Sequence, residues 1–395
     1  MRILVVQESD WLERGPHQSH QLMERMSLLG HEIRVIDFEI DWRKKESQRI
    51  LTKREVLENT QKVAAESRVT VVRPQMLRIP ILAYLFLPIS HGKEIKRQVR
   101  EFKPDIIVGF SIVNSYLASR IAKANGIPFV YYIIDELHKL LPEKRLQGIA
   151  KLIERRNLRK STLVLAINEG LREYAVEMGA DAERTRVLRA GIDLQRFSPD
   201  ADGAPVREKL GIDSNDIVLF YMGWLYEFSG LRQVTEEMAL CPEASRKVKL
   251  LIMGKGDLWT FLNSLKEDKS IGDRIICLNW QPYSEVPKYL AAADICILPA
   301  ENNEIMRRIV PIKVYEYLAA GKPVISTRLP GIMKEFGNGH GVHYVSKPAH
   351  VLDRAIQLRN DQSFPSEKKK ARSFVENNDW DKTTKSFERL LEGIV

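Results

Sequence analysis

Short apolar runs recur along the chain at 3–6, 33–36, 69–72, 106–108, 127–134 and 162–167, and again at 217–222, 248–253, 275–278, 295–298 and 324–327. They are nearly continuous, not alternating, which is the pattern of strands buried on both faces of a parallel sheet. Between them lie stretches with apolar residues at helical spacing, such as Leu22, Met26 and Leu29, which end at Gly30. Strand and helix in alternation predict an α/β fold. The alternation breaks at 188–205, where Asp, Ala, Gly and Pro cluster, and then starts afresh. The expected architecture is two tandem doubly wound, Rossmann-like domains, 1–190 and 191–372, facing each other across a ligand-binding cleft with a hinge near 190–205. Trp380, Phe387 and Leu391 fall on one face of a closing amphipathic helix, 373–395, expected to pack back on the N-terminal domain.

With 395 residues, 44% hydrophobic and 29% charged, the chain reads as globular and long enough for two cores. Its net charge of +9 favours anionic partners, phosphorylated ligands or acidic lipid surfaces. No basic run interleaves with aromatics in a stacking pattern, so nucleic acid is not expected. Cys241, Cys277 and Cys296 are scattered and read as core residues of a reducing compartment, and no metal-ligand spacing is present. The opening apolar run is too short for a secretory leader, and the lipid-like run 79–89 is about half of the roughly 20 residues that a spanning helix needs. The expected location is therefore cytoplasmic, or peripheral on the inner face of a membrane.

Three stretches carry candidate chemistry. In the segment 311–327, Pro311 suits a first helical position, Gly321 a left-handed stop and Pro323 a barrier to continuation. Lys313 and Glu316 share a face of this helix. Arg307, Arg308 and Lys313 gather at its positive end, where cations are disfavoured by roughly 0.3–1 kcal/mol each unless an anion sits there. The alternative pairs them with Glu301 and Glu304 on a solvated loop. At the end of the 127–134 run, Asp135 and His138 suit an acceptor-orienting or proton-accepting pair, or else a helix start with Asp135 as cap. Residues 73–97 surround an apolar block with Arg73, Arg78, Lys93, Lys96 and Arg97. They read either as a core helix with solvated ends or as a peripheral membrane contact. The charge-rich stretch 41–68 reads as an exposed helix or a mobile excursion.

Three motifs in order resemble the retaining, nucleotide-sugar-dependent "group 1" glycosyltransferases of the GT-B fold. Gly191-Ile192-Asp193-Leu194-Gln195-Arg196-Phe197-Ser198-Pro199 resembles that family's interdomain linker. The run from Ser284 to Asp294 with the strand after it resembles a donor-domain helix and strand, and the run from Lys313 to Val324 resembles the donor-ribose helix. The resemblance implies transfer of a sugar from a nucleoside-diphosphate donor on the second domain to a glycan or lipid-linked saccharide on the first, with retention and without metal or cofactor. It implies cell-envelope or polysaccharide assembly as the setting. Glu316 would hold the ribose diol; Lys313, Arg308 and Arg307 would face the diphosphate. Gly254 and Trp280 would line the base pocket, with Trp280 in the core as the alternative, and Gly15 would let backbone approach the diphosphate. The sequence departs from the family twice. Arg308 stands where a Glu is usual, eight positions before Glu316. The run Gly223-Trp224-Leu225-Tyr226-Glu227-Phe228-Ser229-Gly230 lacks the two cations that usually grip the diphosphate. A sugar-nucleotide 2-epimerase and a non-catalytic binding or scaffold subunit are the competing readings.

Overall fold

The computed structural model describes all residues except 14–15, 40–49, 80–81, 142–143 and 241–245, and the side chains of residues 84 and 85. Gly15 and Cys241 thus lie outside the described residues. The chain forms two compact units, residues 1–190 with 380–395, and residues 191–379.

In the first unit the strands are β1 (Arg2–Val6), β2 (Glu32–Ile36), β3 (Glu55–Thr60), β4 (Val69–Arg73), β5 (Ile106–Gly109), β6 (Phe129–Ile133), β7 (Leu163–Ala166) and β8 (Thr185–Val187), in the spatial order β3-β4-β2-β1-β5-β6-β7-β8. All pairings are parallel except β3 with β4. The helices are α1 (Gln18–Leu28), α2 (Leu82–Glu101), α3 (Val113–Ala124), α4 (Lys144–Lys160) and α5 (Glu169–Glu177). Alternate residues of β1 serve opposite cores, which is why the run is apolar throughout. Ile3 and Val5 join α1, while Leu4 and Val6 join α2 to α5.

The second unit contains β9 (Ile217–Trp224), β10 (Val248–Lys255), β11 (Ile275–Leu278), β12 (Ile295–Leu298), β13 (Val324–Thr327) and β14 (Val342–Val345). Their order is β11-β10-β9-β12-β13-β14 and every pairing is parallel. This is the 3-2-1-4-5-6 order of the dinucleotide-binding fold, whose ligand position lies outside the carboxyl ends of its strands where the order reverses, here between β9 and β12. Helices α9 (Val286–Ala291), α10 (Ile312–Ala319), α11 (Pro330–Phe336) and α13 (Phe364–Val375) cover one face. Helices α7 (Leu231–Leu240), α8 (Trp259–Ser264) and α12 (Val351–Asn360) cover the other, and α6 (Ala204–Lys209) flanks the first.

Two readings of the sequence change. Within 41–68 the described part holds not a helix but β3, an antiparallel edge strand with Glu55, Val56, Glu58 and Asn59 exposed. Charges on an edge strand keep it from pairing with another chain, so its hydrophilic sequence hides its type. The closing helix is in fact two, because α13 stops at Val375 and α14 (Trp380–Glu392) begins after a break. Ala371 and Val375 stay in the second unit's core and Arg372 donates to the carbonyls of Phe197 and Ala319, so the return to the first unit falls at Trp380, not at 373. From there Trp380, Phe387 and Leu391 enter the core beside α1, Arg25 lies over the Trp380 ring, and His31 Nε2 meets Glu388 Oε1 at 2.7 Å.

Phe387 is fully buried in that core. Phe387→Ala should cost the first unit ~3–5 kcal/mol. In urea, followed by pulse proteolysis with peptide mapping, fragments of 1–190 should become susceptible at lower denaturant while those of 191–379 do not shift. Equal shifts in both would contradict the assignment.

Candidate functional site

Helix α10 brings the candidate chemistry to the reversal point of the second sheet. Pro311 proves to be the residue flanking the helix, with extended backbone (φ −63°, ψ 134°), and not its first turn. At the other end Gly321 adopts φ +64°, its N–H donates to Leu318 O (2.9 Å), and the Lys322 N–H donates to Tyr317 O (2.9 Å). These two bonds are the Schellman stop that Gly and the following Pro predicted. The inner face of α10 is fixed in two places. Met222 N–H of β9 donates to Tyr317 Oη (2.9 Å), and Tyr315 Oη donates to Glu335 Oε1 of α11 (2.7 Å).

Held this way, the helix directs Lys313 and Glu316 into confined surroundings. Lys313 Nζ donates to Met222 O (3.0 Å) and lies 3.9 Å from the centroid of the Tyr221 ring. Burial lowers its pKa to about 7, opposed in part by Glu316. Glu316 is 4% exposed, and its Oε1 accepts a 2.5 Å bond from Tyr283 Oη. Burial raises its pKa to about 7 against the opposing pull of Tyr283, Lys313 and Arg196. The Arg196 guanidinium stands over the Tyr283 ring at 5.2 Å. Among the described residues Glu316 Oε2 has no protein hydrogen bond, so one carboxylate oxygen is available to a ligand.

Beside Lys313 the ends of β9 and β10 come unusually close. Gly254 pairs with Gly223, and a Cβ on Gly254 (φ +156°) would collide with the Gly223 carbonyl. Gly223 has φ +121°, and a Cβ there would sit 3.4 Å from Lys313 Nζ. Lys313 therefore reaches the base of the run that lacks the two usual cations. In that run Trp224 is 43% exposed with Lys255 Nζ 6.0 Å from its ring, whereas Ser229 is buried and its Oγ has no partner.

The other sequence candidates divide. Trp280 is 59% exposed just beyond β11, which excludes the core alternative for it. Arg307 is exposed and Arg308 half-buried, with their backbone packed against Gly331. Glu301 accepts from Gln233 Nε2 (2.7 Å). Asp135 and His138 are not brought together as a pair. Asp135 Oδ1 accepts the Glu136 N–H (2.8 Å), as a turn cap does. His138 is buried, its Nδ1 2.7 Å from Glu154 Oε2, which also accepts from Tyr174 Oη (2.8 Å). Sequence reasoning missed Tyr283, Arg196 and Glu8. The first two lie in loops whose approach to α10 no local spacing reveals. Glu8 lies at the corresponding reversal point of the first sheet, between β1 and β5, and its Oε1 accepts the Asn114 N–H at the start of α3 (2.6 Å). The chain's own carboxylate thus occupies the helix end that would otherwise attract an anion there. Among the described residues no group of three or more His, Cys, Asp or Glu side chains could hold a metal ion.

Comparison with known proteins identifies the fold and family. The family model "Glycosyl transferase 4-like domain" matches residues 15–191 and "Glycosyl transferases group 1" matches 204–392. Among solved structures, sucrose-phosphate synthase from Thermosynechococcus elongatus superposes with TM-score 0.74 at 16% identity, covering 100% of this chain and 98% of that one. HepE of Anabaena, solved in complex with UDP, superposes with TM-score 0.73 at 18% identity over the full length of both chains. The fold is therefore the GT-B class. The chain belongs to the group 1 glycosyltransferases. Curated relatives include alpha-D-kanosaminyltransferase of Streptomyces kanamyceticus, 25% identical over 57% of this chain and 58% of that protein. The UDP-Gal:alpha-D-GlcNAc-diphosphoundecaprenol alpha-1,3-galactosyltransferase of Escherichia coli is 23% identical over 62% of each. The chain thus spans about three fifths of the length of these curated relatives.

A buried carboxyl that titrates near 7, against 4.5 in the unfolded chain, withdraws stability as pH rises through that interval. Glu316→Gln should therefore stabilise the fold by about 1–3 kcal/mol at pH 8 and by much less at pH 5. Thermal unfolding at the two pH values checks this, and an equal gain at both would contradict it.

Proposed function

We propose that the protein transfers a sugar from a nucleoside-diphosphate donor bound on residues 191–379 to a glycan or lipid-linked saccharide bound on the first unit. Retention at the anomeric carbon, without metal or cofactor, completes the reading, in the setting of polysaccharide or cell-envelope assembly. The observation that carries it is the pair Glu316 and Lys313, confined on one helix at the reversal point of a 3-2-1-4-5-6 sheet. Glu316 accepts from the ribose hydroxyls through its unoccupied oxygen, with Tyr283 holding the carboxylate in place. Lys313, helped by Arg308 and Arg307, takes up the charge of the diphosphate as it leaves. Trp280 offers its exposed face to the base, and the backbone at Gly254 lines the same pocket. Gly15 lets backbone approach the diphosphate, Asp135 serves the acceptor side, and His138, fixed by Glu154 and Tyr174, keeps the turn after Asp135 in shape. Two names support the ligand classes. The HepE structure contains UDP, and the E. coli galactosyltransferase is named for a diphosphoundecaprenol acceptor.

The scaffold reading draws on one observation, the replacement of both usual cations by Trp224 and Ser229. Against it stands the position of Lys313 Nζ beside Gly223, which brings a cation to the start of that loop.

Lys313→Ala and Glu316→Ala should each lower donor turnover by about a hundredfold or more, measured as nucleoside-diphosphate release across a panel of nucleotide sugars. Failure of the unaltered protein to bind any nucleoside diphosphate by calorimetry would establish the scaffold instead. Because Lys313 is largely neutral at pH 8 and a diphosphate favours its charged form, binding there should take up a proton. The apparent enthalpy will then vary with the ionisation enthalpy of the buffer. Lys313→Met should remove that dependence.

A further inference from the structure

Helix α4 carries a surface that the donor site does not use. Its sequence, KRLQGIAKLIERRNLRK, holds seven basic residues and one acidic. The acid, Glu154, is fully buried and committed to His138 and Tyr174, so it neutralises nothing on the outside. The inward positions are Ala150, Glu154, Asn157 and Leu158. At 100° per residue, the direction opposite to them belongs to Arg145, Ile149, Leu152, Arg156 and Arg159. Ile149 and Leu152, with Leu146 and Leu140 just before them, are each 50% or more exposed. Among the described residues none of the seven cations has a carboxylate partner.

The neighbouring helices extend this surface. Helices α2, α3 and α4 pack on the same face of the first sheet. Lys93, Lys96 and Arg100 of α2 and Arg120 of α3 line a groove of ≈ 1150 Å³ between them, with Ile89 exposed at its end. The lipid-facing reading made from sequence for 73–97 is thinner than it looked, since Met76, Ala83 and Leu87 of that stretch are buried. Among the described residues its exposed apolar remainder is Leu82 and Ile89.

We infer that the α4 face of the first unit docks on an anionic bilayer, with Leu140, Leu146, Ile149 and Leu152 entering the interface and the surrounding lysines and arginines meeting phosphate headgroups. Unpaired cations spread around exposed aliphatic side chains are the chemistry of a helix lying in the plane of a charged membrane. Nucleic acid would leave the aliphatics idle, and α4 has no aromatic on which a base could stack. Helix α4 follows β6, so its apolar half lies at the carboxyl edge of the sheet, the edge where a doubly wound sheet receives ligands. The inference does not depend on the donor site.

Cosedimentation with vesicles of phosphatidylglycerol and with vesicles of phosphatidylcholine tests it. The full chain should bind the anionic vesicles, bind the neutral ones roughly tenfold more weakly, and release in about 0.5 M salt, where surface attraction is screened. Ile149→Ser with Leu152→Ser should weaken binding about tenfold or more, and Arg155→Gln with Arg156→Gln about fivefold per charge. All four positions are exposed, so circular dichroism melting should be unchanged and separates a lost surface from a lost fold. Equal binding to both vesicle types, equal binding by the variants, or a change of oligomeric state in the Ile149/Leu152 variant without loss of vesicle binding would each overturn it. Donor binding by calorimetry should be the same for all these variants.

Discussion

A buried carboxylate and a half-buried ammonium group three residues apart on a short helix sit where neither is comfortable. Desolvation moves Glu316 up and Lys313 down until both titrate near neutrality. Such an arrangement persists only because the helix is pinned from outside itself. The Schellman stop at Gly321, the Tyr317 bond to β9 and the Tyr315 bond to α11 leave α10 no way to turn the pair toward water. The strain of holding two ionisable groups half-satisfied is a cost to stability and an opportunity for a ligand. A ligand that donates to the open oxygen of Glu316 and carries negative charge toward Lys313 would supply the missing partners in one step.

The same constraint accounts for the glycines nearby. Gly223 takes φ +121°, which a side chain would strain, and β9 and β10 can converge there because Gly254 has no side chain to keep them apart. The loop after β9 lacks the two cations that are usual in the family. Here a cation from α10 approaches the foot of the loop, while the loop presents Trp224 to solvent. The two units treat their equivalent positions differently. Glu8 caps α3 at the reversal point of the first sheet, whereas the second sheet leaves a carboxylate oxygen open. One unit fills that point with its own side chain and the other leaves an oxygen open to a ligand.

The charge of the chain also resolves into places. An excess of +9 read as a general attraction for anions, yet the structure collects cations on α4 and the adjoining ends of α2 and α3, on the outer side of one sheet. Composition reported the sign of the partner's charge. Only the folded helix separates the outward arginines from the inward Glu154 and shows aliphatic side chains left among them.

Sequence alone determined the strands, because a segment buried on both faces must be apolar at nearly every position and such runs are visible without any partner. It determined the stops of α1 and α10, since left-handed backbone at Gly30 and Gly321 is a local property. It also determined the shared face of Lys313 and Glu316, which is helix geometry. The tertiary structure decided what depends on distant segments meeting. The charged stretch around Glu55 became an edge strand because β4 was there to pair with it. The chain left the second unit at Trp380 because Arg372 is tied to Phe197 and Ala319. His138 was engaged by Glu154 and Tyr174, and Tyr283 arrived at Glu316 from a loop 33 residues earlier. Periodicity records which way a side chain faces along its own element. It holds no record of which side chain from elsewhere comes to meet it.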